Sequence, residues 1–173
     1  MEPIEPDTKD WTWVLERACP ECGFDARAVR ATEVKNRIYA NASAWQPVLR
    51  RPEAAVRSAP QVWSPLEYAC HVRDVHRVFG ERVRSLLAED DPLFASWDQD
   101  EAAVAGDYAH QDPATVAVEL ASAAAEVTEL YGSVEGEQWD RPGRRSNGSG
   151  FTTLSLARYH LHDVEHHLHD VSG

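Results

Sequence analysis

Residues 154–171 read LSLARYHLHDVEHHLHDV, and this stretch decides the fold. Its apolar positions are separated by three, four, three, four and three residues. They are Leu154, Ala157, Leu161, Val164, Leu168 and Val171. Because an α-helix has about 3.6 residues per turn, this spacing places them on one side of a helix. The segment therefore predicts an amphipathic helix that packs within a helical bundle.

Two earlier segments begin with recognisable helix caps. Ser64 precedes Pro65, and Glu67 stands where a capping box requires an acidic residue. Asp112 precedes Pro113 in the same way. Apolar residues at helical spacing follow both starts, so each is predicted to open a long helix.

A fourth helix is predicted from about Thr32 to Trp45, and Pro47 should bend or end it because proline has no N–H for an interior hydrogen bond. Glycines between residues 143 and 150 set off the terminal helix, with a short extended entry at residues 150–153. Residues 1–23 look irregular apart from a short helix near residues 11–17. The prediction is an all-α protein: an N-terminal extension over residues 1–23, then an up-and-down four-helix bundle over residues 24–173.

Bulk properties exclude several classes of function. The chain has 173 residues and a formal net charge of -12, and an acidic surface repels nucleic-acid phosphates and anionic lipids. Three cysteines do not make a disulfide framework, and the first residues lack the pattern of a secretory signal. We therefore expect a cytoplasmic protein that acts on a small-molecule substrate, without a nucleic-acid or membrane partner. A homodimer is compatible with the pattern but is not required by it.

The terminal helix is unusually rich in possible metal ligands. Five of the eight histidines lie between residues 160 and 169, interleaved with carboxylates. At about 100° per residue, Asp163 and His167 fall beside the apolar seam, with His160 one turn earlier on the same flank. His162, His166 and His169 fall on the opposite side and are expected to face solvent. If the helix is rotated, His162 and His166 become the inward pair instead.

His71 occupies a similar position on the second predicted helix, at the flank of its apolar stripe. One ligand from one helix and an i, i+4 pair from another is a common way to build a metal site in a bundle. His71, Asp163 and His167 would leave coordination positions for water and substrate, as catalytic sites do. These three residues are the predicted metal ligands.

Two other groups of residues suggest chemistry. Cys19 and Cys22 form a CxxC turn like half of a zinc site, which needs two further ligands; a reduced structural turn is the favoured interpretation, with zinc binding and redox activity as alternatives. Arg144 and Arg145 lie in a basic loop before the terminal helix and could contact the carboxylate of an anionic substrate or thiol. A solvated loop is the alternative. Cys70 turns away from His71 and is expected to be a buried apolar residue.

The stretches at residues 63–74 and 163–170 resemble the DinB-like superfamily, which includes mycothiol-dependent maleylpyruvate isomerases and bacillithiol transferases. The resemblance extends over roughly residues 30–172. It implies a four-helix bundle with a divalent ion held by one histidine of the second helix and a His-or-Glu-x-x-x-His pair on the last. These positions correspond to His71, Asp163 and His167. Aspartate departs from the family pattern and reaches less far, which leaves room for His160 as an additional ligand.

The resemblance also implies a reaction. It points to a metal-dependent enzyme using zinc, nickel or iron, which activates a thiol such as mycothiol for S-transfer or isomerisation of a small electrophile. Activation of water for hydrolysis is the alternative chemistry. A hypothesis of another class is a non-catalytic metal-binding or stress-response bundle that acts as a dimeric binding module.

Overall fold

The computed structural model describes residue 4 and residues 10–172. Within these residues the α-helices are α1 (Val34–Leu49), α2 (Pro65–Ala88), α3 (Gln99–Ala105), α4 (Pro113–Gly132) and α5 (Thr153–Val171). The strands are β1 (Pro142–Arg144) and β2 (Gly150–Thr152). The four long helices form a bundle, which confirms the predicted all-α four-helix fold. None of the helices in the described part of the chain has the length and apolar character needed to cross a lipid bilayer.

The bundle has a particular order of neighbours. Helices α4 and α5 each pack against both α1 and α2, whereas α1 and α2 meet only sparingly. The pairs α1/α2 and α4/α5 therefore lie across the diagonals of the bundle. Its centre is filled by fully buried side chains such as Trp45, Leu66, Leu120 and Leu161. Burying each large apolar side chain contributes about 1.5–3 kcal/mol, so this core supplies most of the driving force for folding.

The caps predicted from sequence are present. The Ser64 hydroxyl accepts a hydrogen bond from the Glu67 N–H at 3.3 Å, and the Glu67 carboxylate accepts one from the Ser64 N–H at 2.8 Å. Asp112 accepts the N–H of Thr115 at 2.8 Å. Helix α1 differs from the prediction because it continues through Pro47 to Leu49. Since Pro47 lies in the last turn, its missing N–H removes only one hydrogen bond from the helix.

The described N-terminal segment, residues 10–33, contains three short 3-10 helices, Trp11–Leu15, Ala26–Ala28 and Ala31–Glu33. It packs against α5. Arg158 of α5 donates two hydrogen bonds to the Val29 carbonyl, at 2.8 and 3.1 Å. This segment therefore covers a second face of α5, in addition to the face that the bundle buries.

The β1–β2 hairpin leads into α5 and is anchored on the connection between α2 and α3. The Phe94 N–H donates to the Arg144 carbonyl at 2.8 Å, and the Arg144 N–H donates to the Pro92 carbonyl at 2.9 Å. Gly143 pairs with Phe151 across the hairpin. A Cβ atom at Gly143 would lie 2.7 Å from both Leu86 and Phe94, which are buried, so only glycine fits there.

A Gly143→Ala substitution is therefore expected to destabilise the protein by about 1–3 kcal/mol, the usual cost of overpacking a core. Gly150 is the matched control because it lies in the same hairpin and a Cβ there meets nothing within 4 Å. Urea unfolding should show a lower midpoint for Gly143→Ala and an unchanged midpoint for Gly150→Ala. Equal midpoints for both variants would contradict the close packing at Gly143.

Candidate metal centre

His71 of α2 converges with Asp163 and His167 of α5. The Nε2 atom of His71 lies 3.3 Å from Oδ1 of Asp163, and Nε2 of His167 lies 3.8 Å from the same oxygen. The three donor atoms lie within 4.8 Å of one another. The two imidazole rings meet edge to face, with centroids 4.8 Å apart. The structure thus brings together all three residues that the sequence predicts as metal ligands.

Aromatic side chains hold the rings of this cluster in place. His71 is fully buried and lies between Trp63 and Trp97, at centroid distances of 5.4 and 5.6 Å. Tyr68 packs on His167 at 5.1 Å. Because α2 and α5 are direct neighbours in the bundle, the cluster lies on two elements that the core already fixes.

The electrostatics of the cluster favour an ionised carboxylate. Burial alone would raise the pKa of Asp163, but the rings of His71 and His167 outweigh it and hold this pKa well below its ordinary value. Nδ1 of His167 lies 3.1 Å from Oδ2 of Asp170. A carboxylate on one ring nitrogen directs the other nitrogen toward a metal ion, and this arrangement is common around metal-bound histidine.

The donor set fits a divalent ion. Two imidazole nitrogens and one carboxylate oxygen suit zinc and its borderline neighbours, and three protein ligands leave room for water or substrate. The Nδ1 atom of His71 is buried and makes no hydrogen bond to any described residue, so packing and the contact of Nε2 with Asp163 hold this ring.

A cleft with two lobes opens beside the cluster, and Asp163 lines both lobes. The larger lobe has a volume of about 320 Å³ and the smaller about 190 Å³. The larger is bounded by Tyr68, His167 and Asp170 among others, and the smaller by Arg82, Trp97 and Arg145. Clefts of this size accept small molecules.

Comparison with known proteins identifies the family. The family model of the DinB superfamily matches residues 36–171. The chain belongs to the DinB superfamily. Its fold is similar to the solved structure of YfiT from Bacillus subtilis, described as a probable metal-dependent hydrolase with an unusual four-helix bundle topology. The TM-score is 0.66 at 17% identity, over 99% of this chain and 91% of that one, so the similarity establishes the fold. No curated protein matches the chain significantly.

The two arginines that the sequence offers as substrate contacts have different surroundings in this DinB protein. Arg145 lines the smaller lobe together with Asp163. Arg144 pairs with Asp91 at 3.0 Å and is not among the residues that line the cleft, so of the two arginines only Arg145 lies at the cleft. Arg144 lies in β1 and its carbonyl anchors the hairpin, so its place is set by the sheet rather than by the site.

Arg82 is a site residue that the sequence analysis missed. Its guanidinium lies over the rings of Phe79 and Phe94, and its buried Nε has no hydrogen-bond partner among the described residues. Burial and the charge of Arg145 lower the pKa of Arg82 to about 10. Arg82 follows His71 by eleven residues, which is about 20° from a whole number of helical turns. This spacing places Arg82 on the same side of α2 as His71, and it is the signal in the sequence that could have identified Arg82.

His160 belongs to the core rather than to the ligand cluster. It is fully buried, and its Nε2 shares a hydrogen bond with His76 Nδ1 at 3.0 Å. Its Nδ1 shares another with the Tyr131 hydroxyl at 3.2 Å. Both ring nitrogens are therefore occupied, and the suggestion that His160 supplements Asp163 is not supported. His76 was not identified from the sequence, although it lies in α2 five residues after His71.

The expectation that His162 and His166 face solvent is wrong. They are only 4% and 7% exposed, because the N-terminal segment covers this face of α5. Trp11 packs on both rings, with centroids 5.6 and 5.4 Å away, and Cys19 and Cys22 lie beside them. His169 is exposed, as predicted.

Cys70 is fully buried, as expected of an apolar residue. Burial raises the pKa of its thiol to about 12, so it stays protonated at neutral pH. Because a nucleophilic cysteine needs an accessible thiolate, Cys70 is excluded as a catalytic nucleophile.

Proposed function

We propose that this DinB protein is a divalent-metal-dependent hydrolase acting on a small anionic electrophile. The observation that carries the proposal is the convergence of His71, Asp163 and His167 beside the cleft, both lobes of which are lined by Asp163. The description of YfiT as a probable metal-dependent hydrolase supports the same class of reaction.

Each residue of the site would have a distinct role. His71, Asp163 and His167 would hold the ion, and Asp170 orients the ring of His167 through the contact at 3.1 Å. A bound divalent ion supplies Lewis acidity and lowers the pKa of a water molecule that reaches it.

The smaller lobe of the cleft would bind the anionic part of the substrate. Arg82 and Arg145 face it and would pair with the charged end of a substrate, and Trp97 adds an apolar wall. Asp98 and Asp100 also line this lobe, and the Asp98 carboxylate accepts N–H groups at the start of α3. Two guanidinium groups and a bound cation would together favour negative charge, as it develops during attack on an ester or amide carbonyl.

The proposal is tested with untagged protein, because the histidines of α5 could themselves bind a nickel column. Activity against a panel of anionic esters and amides is measured before and after chelation, and after zinc, nickel or iron is restored. We expect activity that disappears on chelation, returns with metal, is lost in His167→Ala and persists in His169→Ala. Activity that survives complete metal removal contradicts the proposal. A chain that binds no metal and unfolds identically with and without chelator supports the non-catalytic binding module.

A second candidate is thiol transfer, and the two-lobed cleft favours it. Lobes that meet at Asp163 can hold two reactants, a thiol such as mycothiol in one and the electrophile in the other. The thiol sulfur would form a bond to an electrophilic carbon as the leaving group departs with the thiol proton. Consumption of the electrophile that depends on added thiol, with formation of a thioether, distinguishes this reaction from hydrolysis.

Either reaction makes the same prediction for Arg145. Loss of a charge-assisted hydrogen bond costs about 1.5–3 kcal/mol, so Arg145→Gln is expected to lower kcat/KM for an anionic substrate by roughly 10-fold to 100-fold. A neutral analogue should be affected little. Arg144→Gln is the matched control, because Arg144 pairs with Asp91 instead. If both variants lower kcat/KM equally, Arg145 does not recognise the substrate directly.

A further inference from the structure

A second group of metal-ligand side chains lies on another face of α5. Cys19, Cys22, His162 and His166 place one donor atom each within 4.8 Å of one another. The Cys19 sulfur lies 3.8 Å from Nδ1 of His166. In a tetrahedral zinc site, bond lengths of about 2.3 Å to sulfur and about 2.0 Å to nitrogen put these atoms roughly 3.6 Å apart. The group is therefore close to coordination geometry.

The backbone between the cysteines forms a compact turn. The Gly23 N–H donates to the Cys19 carbonyl at 2.9 Å, and the Cys19 N–H donates to the Phe24 carbonyl at 2.8 Å. Gly23 has a φ of 76°, which residues with a side chain rarely adopt. This turn directs the two thiols toward the same side, and both cysteines are free rather than joined in a disulfide.

The histidines of the group are buried without full hydrogen bonding. His162 is 4% exposed and lies between Trp11 and Phe24, each 5.6 Å from its ring centroid. Its buried Nε2 has no hydrogen-bond partner among the described residues. An unpaired buried polar atom costs about 1–3 kcal/mol. A metal ion coordinated by this nitrogen would remove that cost.

His166 also has the surroundings of a metal-bound imidazole. Its Nδ1 is directed at the cysteine sulfur, while Nε2 lies 3.5 Å from Glu21 and 3.8 Å from Asp170. Carboxylates on the second nitrogen are the usual partners of a ligating histidine. Glu21 belongs to the CxxC turn itself, so the turn supplies both a ligand and an orienting group.

We propose that Cys19, Cys22, His162 and His166 bind a structural Zn²⁺ ion that clamps the N-terminal segment to α5. Two thiolates balance the charge of the ion, and four protein ligands close the coordination sphere, as in structural zinc sites. The site is distinct from the cluster at His71. Helix α5 carries two i, i+4 ligand pairs offset by one residue, His162 with His166 and Asp163 with His167.

The proposal is independent of the proposed catalysis and can be tested without an activity assay. The probe is zinc itself, measured per chain in untagged protein purified under reducing conditions. The double variant His71→Ala/His167→Ala removes the other cluster and is expected to retain one equivalent of zinc. Adding Cys22→Ser should reduce this to a small residual fraction, whereas adding Cys70→Ser, the matched control, should leave it unchanged.

Cobalt substitution of the otherwise unaltered chain gives a readout that does not depend on variants folding. We expect intense visible bands of tetrahedral Co²⁺ and a sulfur-to-cobalt charge-transfer band that identifies thiolate ligands. Chelation should remove both and shift thermal unfolding to lower temperature. A double variant that holds no zinc, a cobalt spectrum without the sulfur band, or a Cys19–Cys22 disulfide in the reduced preparation would each overturn the proposal.

Discussion

An Asp163→Asn variant should bind zinc at the cleft more than about 100-fold more weakly than the unaltered chain. Loss of a group that only supports a ligand typically costs 10-fold to 100-fold in affinity, and Asp163 is proposed as a direct ligand. It is also the only anionic donor of the cluster, since His71 and His167 are neutral when they bind metal. Asparagine keeps the shape of the side chain and removes the charge.

The measurement is a competition titration against a chromophoric chelator, carried out in a Cys22→Ser background so that only the cleft site is counted. Asp170→Asn should lower affinity by 10-fold to 100-fold, because Asp170 positions His167 at 3.1 Å and is not itself a proposed ligand of the cleft site. His169→Ala should have no effect, because His169 is exposed. If Asp163→Asn retains full affinity, the ion is held by other residues and the proposed site is wrong.

The residues of the cleft site and the starts of two helices could be predicted from the sequence. Asp163 and His167 lie one turn apart beside an apolar seam, and His71 lies beside the stripe of α2, so helical geometry alone brings them together once α2 and α5 pack. The caps at Ser64 and Asp112 fixed where two helices start. Long periodic helices and their caps are local properties, and local properties are what a sequence expresses most directly.

The environment of His162 and His166 could not be predicted in this way. Analysis of an amphipathic helix assumes one buried face, but α5 has two, and the second is covered by residues 10–29. This segment has no helical period, and its contacts with α5 link residues more than 120 positions apart in the chain, such as Cys19 and His166. The CxxC turn suggested half of a zinc site only as an alternative to a structural turn, and only the folded chain shows that His162 and His166 lie beside it.

The two adjacent arginines show a second limit of prediction from the sequence. Arg144 pairs with Asp91 and Arg145 lines the cleft, although they are neighbours in one basic loop. Their difference comes from the hairpin, which fixes Arg144 in β1. Such a short pairing, three residues long, depends on the anchor at residues 92–94 and leaves no periodic signal in the sequence. Helix α3 was missed for a similar reason, because seven residues are too few to show a period.

Lowering the pH should destabilise the metal-free protein, because His76 and His160 are buried as a neutral pair. Burial lowers the pKa of His76 to about 4, and burial together with His76 holds the pKa of His160 well below its ordinary value. Because an unfolded histidine has a pKa near 6.5, the unfolded chain binds more protons between about pH 6.5 and pH 4. The stability present above this range is lost as the pH falls. His76 alone should account for about 2 kcal/mol of the loss between pH 7 and pH 5.

The contribution of His76 is isolated by comparing the unaltered chain with His76→Gln in the presence of chelator. Urea unfolding at pH 7 and at pH 5 gives the free energy of unfolding of each protein. Glutamine does not titrate, so the difference between the two proteins should shrink by about 2 kcal/mol at the lower pH, whatever its value at pH 7. His110→Gln is the matched control for the loss of a histidine, because His110 is exposed and lies beside Asp107 at the surface. A pH dependence that His76→Gln does not reduce would show that the pair is not kept neutral by burial.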